Sequence, residues 1–269
     1  MAALIANYHE PREKIRHLAR PDCPIRVLFL EGGENYGKTY LLQCTSDDWK
    51  PHAKFVVVEL DRRRDVPTPL EILVEISTTL GADNFPHLGA EVSRVQQRSL
   101  VANASGNTIS GTNIRIEALA QESDADRLIT SMQLTAAFVK DLKALSEAIG
   151  SLIVVFDGFD ATTMTLVDRW FDRSLIRSLA EIDFVRLVVC GRQLPTTTVK
   201  ARAAPATTLE LSLRGVSEEN EWLPIIAALK RRIPGNADDE RAAFLRGLIF
   251  AHDGAPGLIM RRIKMLSEE

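Results

Sequence analysis

Between Ile25 and Cys44 the chain passes from an apolar, β-branched run, Ile25-Arg26-Val27-Leu28-Phe29-Leu30, through the glycine-rich octet Gly32-Gly33-Glu34-Asn35-Tyr36-Gly37-Lys38-Thr39. It then enters a helix opening, Lys38-Thr39-Tyr40-Leu41-Leu42-Gln43-Cys44. The octet has the spacing G-x-x-x-x-G-K-[ST], and a strand before it with a helix after it is the context that spacing requires. A buried strand that turns through glycines directly into a helix is the opening unit of a parallel α/β sheet.

The residue types identify the chemistry. Backbone N–H groups aimed into a loop hold phosphate oxygens, and Gly32, Gly33 and Gly37 allow the backbone to come close. Lys38 is placed to reach the β- and γ-phosphates and Thr39 to offer its hydroxyl to Mg²⁺, while the helix beyond aims its positive end at the same anion. Nucleotide binding is therefore expected at Gly32, Gly33, Glu34, Asn35, Tyr36, Gly37, Lys38, Thr39 and Tyr40.

The chain has 269 residues, 45% of them apolar and 26% charged, which suits an ordinary globular protein with one large α/β domain and a small appendage. A net charge of −3 gives no overall pull toward nucleic acid or an anionic membrane. The basic groups Arg62-Arg63-Arg64, Lys230-Arg231-Arg232 and Arg261-Arg262 with Lys264 read as solvated faces, so nucleic acid is not an expected partner. Cys23, Cys44 and Cys190 are odd in number and far apart, as reduced thiols in a reducing compartment would be, and no His or Cys spacing suggests zinc. No run is long enough for a signal peptide or a membrane span, and the expected location is the cytoplasm.

Further strands are expected at Lys54–Leu60, Leu152–Phe156, Val185–Cys190 and Leu209–Leu213. Helices alternate with them: one opens at Thr68-Pro69-Leu70-Glu71, one carries Ala136, Val139, Leu142, Leu145 and Ile149, and one runs from Leu166 to Leu179. The stretch from Gly81 to about Thr112 is rich in Gly, Asn, Ser and Ala and reads as an inserted loop or hairpin. From Ser217 onward only helical patterns occur, broken at Pro234-Gly235-Asn236 and Gly254-Ala255-Pro256-Gly257.

Two further strand ends carry charge. Asp157 closes the apolar run Ile153-Val154-Val155-Phe156 and suits a Mg²⁺ ligand, and Asp160, three positions on, suits orienting or deprotonating an attacking water. Arg192, after Val188-Val189-Cys190-Gly191, would face the same sheet edge and sense a γ-phosphate.

With the loop Gly32 to Thr39, the acidic motif Asp157-Gly158-Phe159-Asp160, the strand-end Arg192 and the helical-tail Gly254-Ala255-Pro256, the chain resembles the STAND class of P-loop NTPases. These are signalling relatives of AAA+ ATPases that include NACHT and NB-ARC proteins. The resemblance covers nearly the whole length. It implies an α/β P-loop NTPase fold, a parallel five-stranded sheet in order 5-1-4-3-2 with flanking helices, over 1–214; the stretch at about 81–135 is an insertion that this fold does not require. A small C-terminal helical lid follows over 215–269.

The resemblance also implies ATP or ADP with Mg²⁺ as cofactors, Pro256 against the base or ribose, and a contribution from Tyr8 to Arg12. It implies a molecular switch whose nucleotide state controls association with itself or with a separately encoded effector, in signalling or defence. Gly158 stands where AAA+ enzymes carry Glu, so turnover is expected to be slow. Arg169, Arg173 and Arg177 are candidates for an arginine acting in trans. Two alternatives stay open: a non-hydrolysing nucleotide-bound scaffold, and a DNA-associated AAA+ adaptor.

Overall fold

The computed structural model describes residues 9–20, 22–60, 67–103, 124–160, 170–194, 207–222, 225 and 238–266. Within them, α1 (His9–His17) precedes β1 (Val27–Gly32), α2 (Lys38–Trp49), β2 (Lys54–Glu59), α3 (Pro69–Leu80), α4 (Pro86–Asn103) and α5 (Asp124–Ala144). Then come β3 (Leu152–Asp160), a π-helical turn (Phe171–Leu175) continued by α6 (Ile176–Ala180), β4 (Val185–Gln193), β5 (Thr208–Leu213), α7 (Asp238–Ala251) and α8 (Pro256–Leu266).

The strands form one five-stranded sheet in the order β2-β3-β4-β1-β5, every pair parallel. Read from the other edge this is the expected 5-1-4-3-2. Parallel strands covered on both sides need apolar residues at consecutive positions, and successive residues serve opposite faces. Val27 and Phe29 of β1, Val56 and Val58 of β2, Val154 and Phe156 of β3, and Leu187 and Val189 of β4 join α3 to α6 in one buried cluster. Leu28 and Leu30, Ile153 and Val155, Val188 and Cys190, and Leu211 and Leu213 join α1, α2, α7 and α8 in a second.

The stretch after Gly81 differs from the loop or hairpin read from composition: Pro86–Asn103 is a helix of 18 residues. Leu88 and Val95 are buried and Val92 half-buried along it, so a narrow apolar stripe was enough. It packs on α5, where Phe85 stacks on Phe138 with ring centroids 5.2 Å apart. The buried Asp141 of α5 accepts from Leu88 N at 2.9 Å and meets His87 Nδ1 at 2.5 Å, supplying partners at the α4 N-terminus.

Along α5, Leu134, Phe138 and Leu142 are buried, and of the expected stripe Leu142 is buried, Val139, Leu145 and Ile149 pack against the same cluster, and Ala136 is exposed. A break at Leu145 separates the short helix Ser146–Ile149 from α5. The helix read from Leu166 is described from Trp170 onward. At α3 the expected start is complete: Thr68 Oγ1 accepts from Glu71 N, and the Glu71 carboxylate accepts from Thr68 N at 2.7 Å. Among the described residues, no helix is long and apolar enough to cross a membrane.

Candidate functional site

The glycine-rich loop lies at the C-terminal edge of the sheet, between the end of β1 and the start of α2. Asn35 and Gly37 both take left-handed backbone angles, with φ 64° and 80°. Gly37 directly precedes α2, whose first turn carries no acidic residue to offset its positive end. Lys38 Nζ folds back into the loop and donates to Gly32 O at 2.6 Å and Gly33 O at 2.9 Å.

Thr39 Oγ1 donates to Asp157 Oδ2 at 2.7 Å, joining residues 118 positions apart. The bond follows from the topology. β3 lies one strand beyond β4 from β1, and Asp157 falls on the face that α2 covers, the face of Ile153 and Val155. Asp157 is itself buried. A hydroxyl and a carboxylate in contact are hard oxygen donors of the kind Mg²⁺ takes alongside water and phosphate, so the pair fits that ion. Among the described residues there is no cluster of three or more His, Cys, Asp or Glu suited to hold a metal unaided.

Strand β3 runs past Asp157 to Asp160, rather than ending at Asp157 with Asp160 on a loop. Gly158 makes this possible: its φ of 82° forms a bulge, and the register with β4 shifts on both sides of Phe159. Phe159 pairs with Gly191 and is fully buried, and Asp160 pairs through its backbone with Gln193. The Asp160 side chain lies outside the described residues.

Arg192, near the end of β4, is exposed and directed to the loop, with Nη1 3.8 Å from Glu34 Oε2. The helical tail reaches the loop as well. Pro256 starts α8, and the next residue, Gly257, donates its N–H to Asn35 O at 2.8 Å. A Cβ on Gly257 would lie 2.8 Å from that oxygen, so the approach admits no side chain. Sequence reasoning singled out Pro256 and passed over Gly257. Its cue was the glycine beside the helix-starting proline, with no spacing rule linking it to Asn35.

Tyr36 lies with its ring over Gly33, and Tyr40 is exposed on α2. Burial pushes the Cys44 thiol up from its ordinary value, against smaller opposite effects of a Tyr40 hydrogen bond and Arg12. Tyr8 lies outside the described residues, and Arg12 donates to Asp48 of α2 at 3.1 Å. Arg169 and the Arg173 side chain are likewise outside them, and Arg177 pairs with Glu181 at 3.3 Å.

No protein-family model matches the chain, and no curated protein matches it in sequence. Solved structures do match it. Cdc6p from Pyrobaculum aerophilum superimposes with a TM-score of 0.56 at 14% identity, covering 99% of this chain and 62% of that one. The Orc1 protein of Aeropyrum pernix, solved in complex with DNA, gives 0.50 at 15% identity, covering 95% of this chain and 58% of that one. The chain thus spans about six tenths of the length of these neighbours. At such identities the likeness establishes the fold: a P-loop α/β fold of the AAA+ kind, with a parallel five-stranded sheet and flanking helices.

Proposed function

We propose that the chain is an ATP-binding, Mg²⁺-dependent switch of the STAND type with slow hydrolysis, working in the cytoplasm, in which 1–214 form the nucleotide-binding domain and 215–269 its lid. The observation that carries this reading is the 2.7 Å bond from Thr39 to Asp157, beside a lysine already folded into the glycine-rich loop. Backbone N–H groups of the loop bind the phosphates and Lys38 neutralises their charge. Thr39 and Asp157 would hold Mg²⁺, which would supply positive charge against the charge developing on the phosphates. Arg192 exchanges Glu34 for the γ-phosphate, Asp160 orients water, and Pro256 lines the base pocket.

The link from α8 to Asn35 makes lid position sensitive to what the loop holds, and lid position in turn governs association with a second copy or an effector in signalling or defence. Native mass spectrometry of the purified chain, with and without ATP and Mg²⁺, tests this. One nucleotide per chain and a larger assembly with ATP are expected; no bound nucleotide under any condition overturns it. Bound nucleotide with no phosphate release would favour the scaffold alternative, to which Gly158 lends support.

A second reading, a DNA-associated AAA+ adaptor, is favoured by the likeness to an Orc1 protein solved with DNA and by exposed Arg261 and Arg262 on α8. Affinity for duplex DNA that falls steeply with salt supports it, and undetectable binding at low salt excludes it.

A further inference from the structure

Gly158 leaves the position after Asp157 without a carboxylate, yet the sheet brings one to Asp157 from the side. In the β2–β3 register Glu59 is the direct partner of Asp157. The pairing holds beyond the strand end, because Leu60 N donates to Asp157 O at 2.7 Å. Parallel neighbours lie about 4.8 Å apart.

Parity decides where Glu59 faces. Val56 and Val58 belong to the cluster on one side of the sheet, so Glu59 takes the opposite side. Asp157 shares that side with Ile153 and Val155, and there it meets Thr39. Glu59 is half-buried, one strand outward from a carboxylate already committed to the threonine. The extra methylene of Glu over Asp suits the longer reach from the neighbouring strand.

We infer that Glu59 is the catalytic base for hydrolysis, a role the residue after Asp157 cannot fill. The inference rests on the ATPase reading above. In the step, a water oxygen bonds to the γ-phosphorus while the bond from that phosphorus to the β–γ bridging oxygen breaks, its electron pair leaving with ADP. The water proton passes to the Glu59 carboxylate and then to the departing inorganic phosphate. ATP and water give ADP and phosphate, and Glu59 is regenerated.

The test compares wild type, Glu59→Gln and Asp160→Asn for ATP affinity with a fluorescent ATP analogue, for bound-nucleotide identity by native mass spectrometry, and for phosphate release. Glu59→Gln is expected to bind ATP within about threefold of wild type, to retain it as ATP, and to release phosphate about 100-fold more slowly. Asp160→Asn is expected to lose less. Turnover of Glu59→Gln within about twofold of wild type, a larger loss in Asp160→Asn, or a wild type that binds ATP and releases no phosphate overturns the inference. Should Glu59→Gln fail to fold by circular dichroism, Glu59→Asp keeps the charge and shortens the reach, and unchanged turnover there overturns it equally. Failure of the ATPase reading has its own signature in the wild type, which would then bind no nucleotide or bind it without releasing phosphate; failure of the inference alone leaves wild-type turnover intact.

Discussion

Lys38 and Thr39 are neighbours in sequence with unlike partners: the ammonium bonds two carbonyls of its own loop, and the hydroxyl bonds a carboxylate two strands away. On the proposed reading, removing the Lys38 ammonium deletes charge-assisted contacts to phosphate and leaves the fold intact. Lys38→Ala is therefore expected to weaken ATP binding by about 100-fold by calorimetry, with unchanged circular dichroism. An unaltered affinity would refute the assignment of the loop.

The thiols give a second prediction at this scale. Burial raises the pKa of Cys44, so the folded chain holds a proton that the unfolded chain releases at high pH. Stability from this source is complete below the ordinary thiol pKa of about 8.5 and declines as pH rises past it. Below that pH, native-state alkylation followed by mass spectrometry should label half-exposed Cys23 before buried Cys44 and Cys190, by about tenfold in rate.

The meeting of Thr39 with Asp157 was legible, because one loop and one strand end place the two residues. The pairing of Glu59 with Asp157 was not, because it is decided by cross-strand register. A single strand's sequence carries its own alternation and nothing of its partner's.

At the scale of elements, α3 announced itself through Thr68, Pro69 and Glu71, residues whose preferences are local. Helix α4 did not. Its Gly89, Ala90, Ser93 and Asn103 mimic a loop composition, and what makes it helical is tertiary: Phe138 under Phe85, and Asp141 at its first turn. Helix α8 makes the most exacting contact. A Cβ at residue 257 meets a main-chain oxygen with no flexible side chain to yield, so Gly257→Ala must shift the helix or the loop. Hydrogen exchange of the α8 amides is expected to quicken by about tenfold in that variant, with weaker ATP binding. Equal protection in both proteins would mean that α8 does not depend on this seat.

For the whole molecule, parity along each strand divides the core into two clusters, one against α3 to α6 and the other against α1, α2, α7 and α8. The helices that touch the glycine-rich loop, α2 and α8, lie on the same side, so a ligand there binds an assembled face rather than one element. Binding to the folded state alone raises stability by about 2.7 kcal/mol at a hundredfold excess over Kd. Differential scanning fluorimetry should accordingly show a rise of several degrees with ATP and Mg²⁺, reduced when EDTA removes the ion. No shift at saturating nucleotide would contradict binding at this face. Five strands were legible in the sequence as apolar runs, while their spatial order came only from the family resemblance.

The tie between Gly257 and Asn35 is made by main chain on both sides. Side-chain truncation at position 35 does not touch such a bond: Asn35→Ala removes the atoms beyond Cβ and leaves the main-chain carbonyl that accepts from Gly257. The coupling of tail to loop is therefore a property of local chain shape, inherited through any substitution that tolerates φ 64° at position 35 and lost through bulk at position 257. Side chains at the loop's non-glycine positions can therefore change while this main-chain contact between loop and tail stays in place.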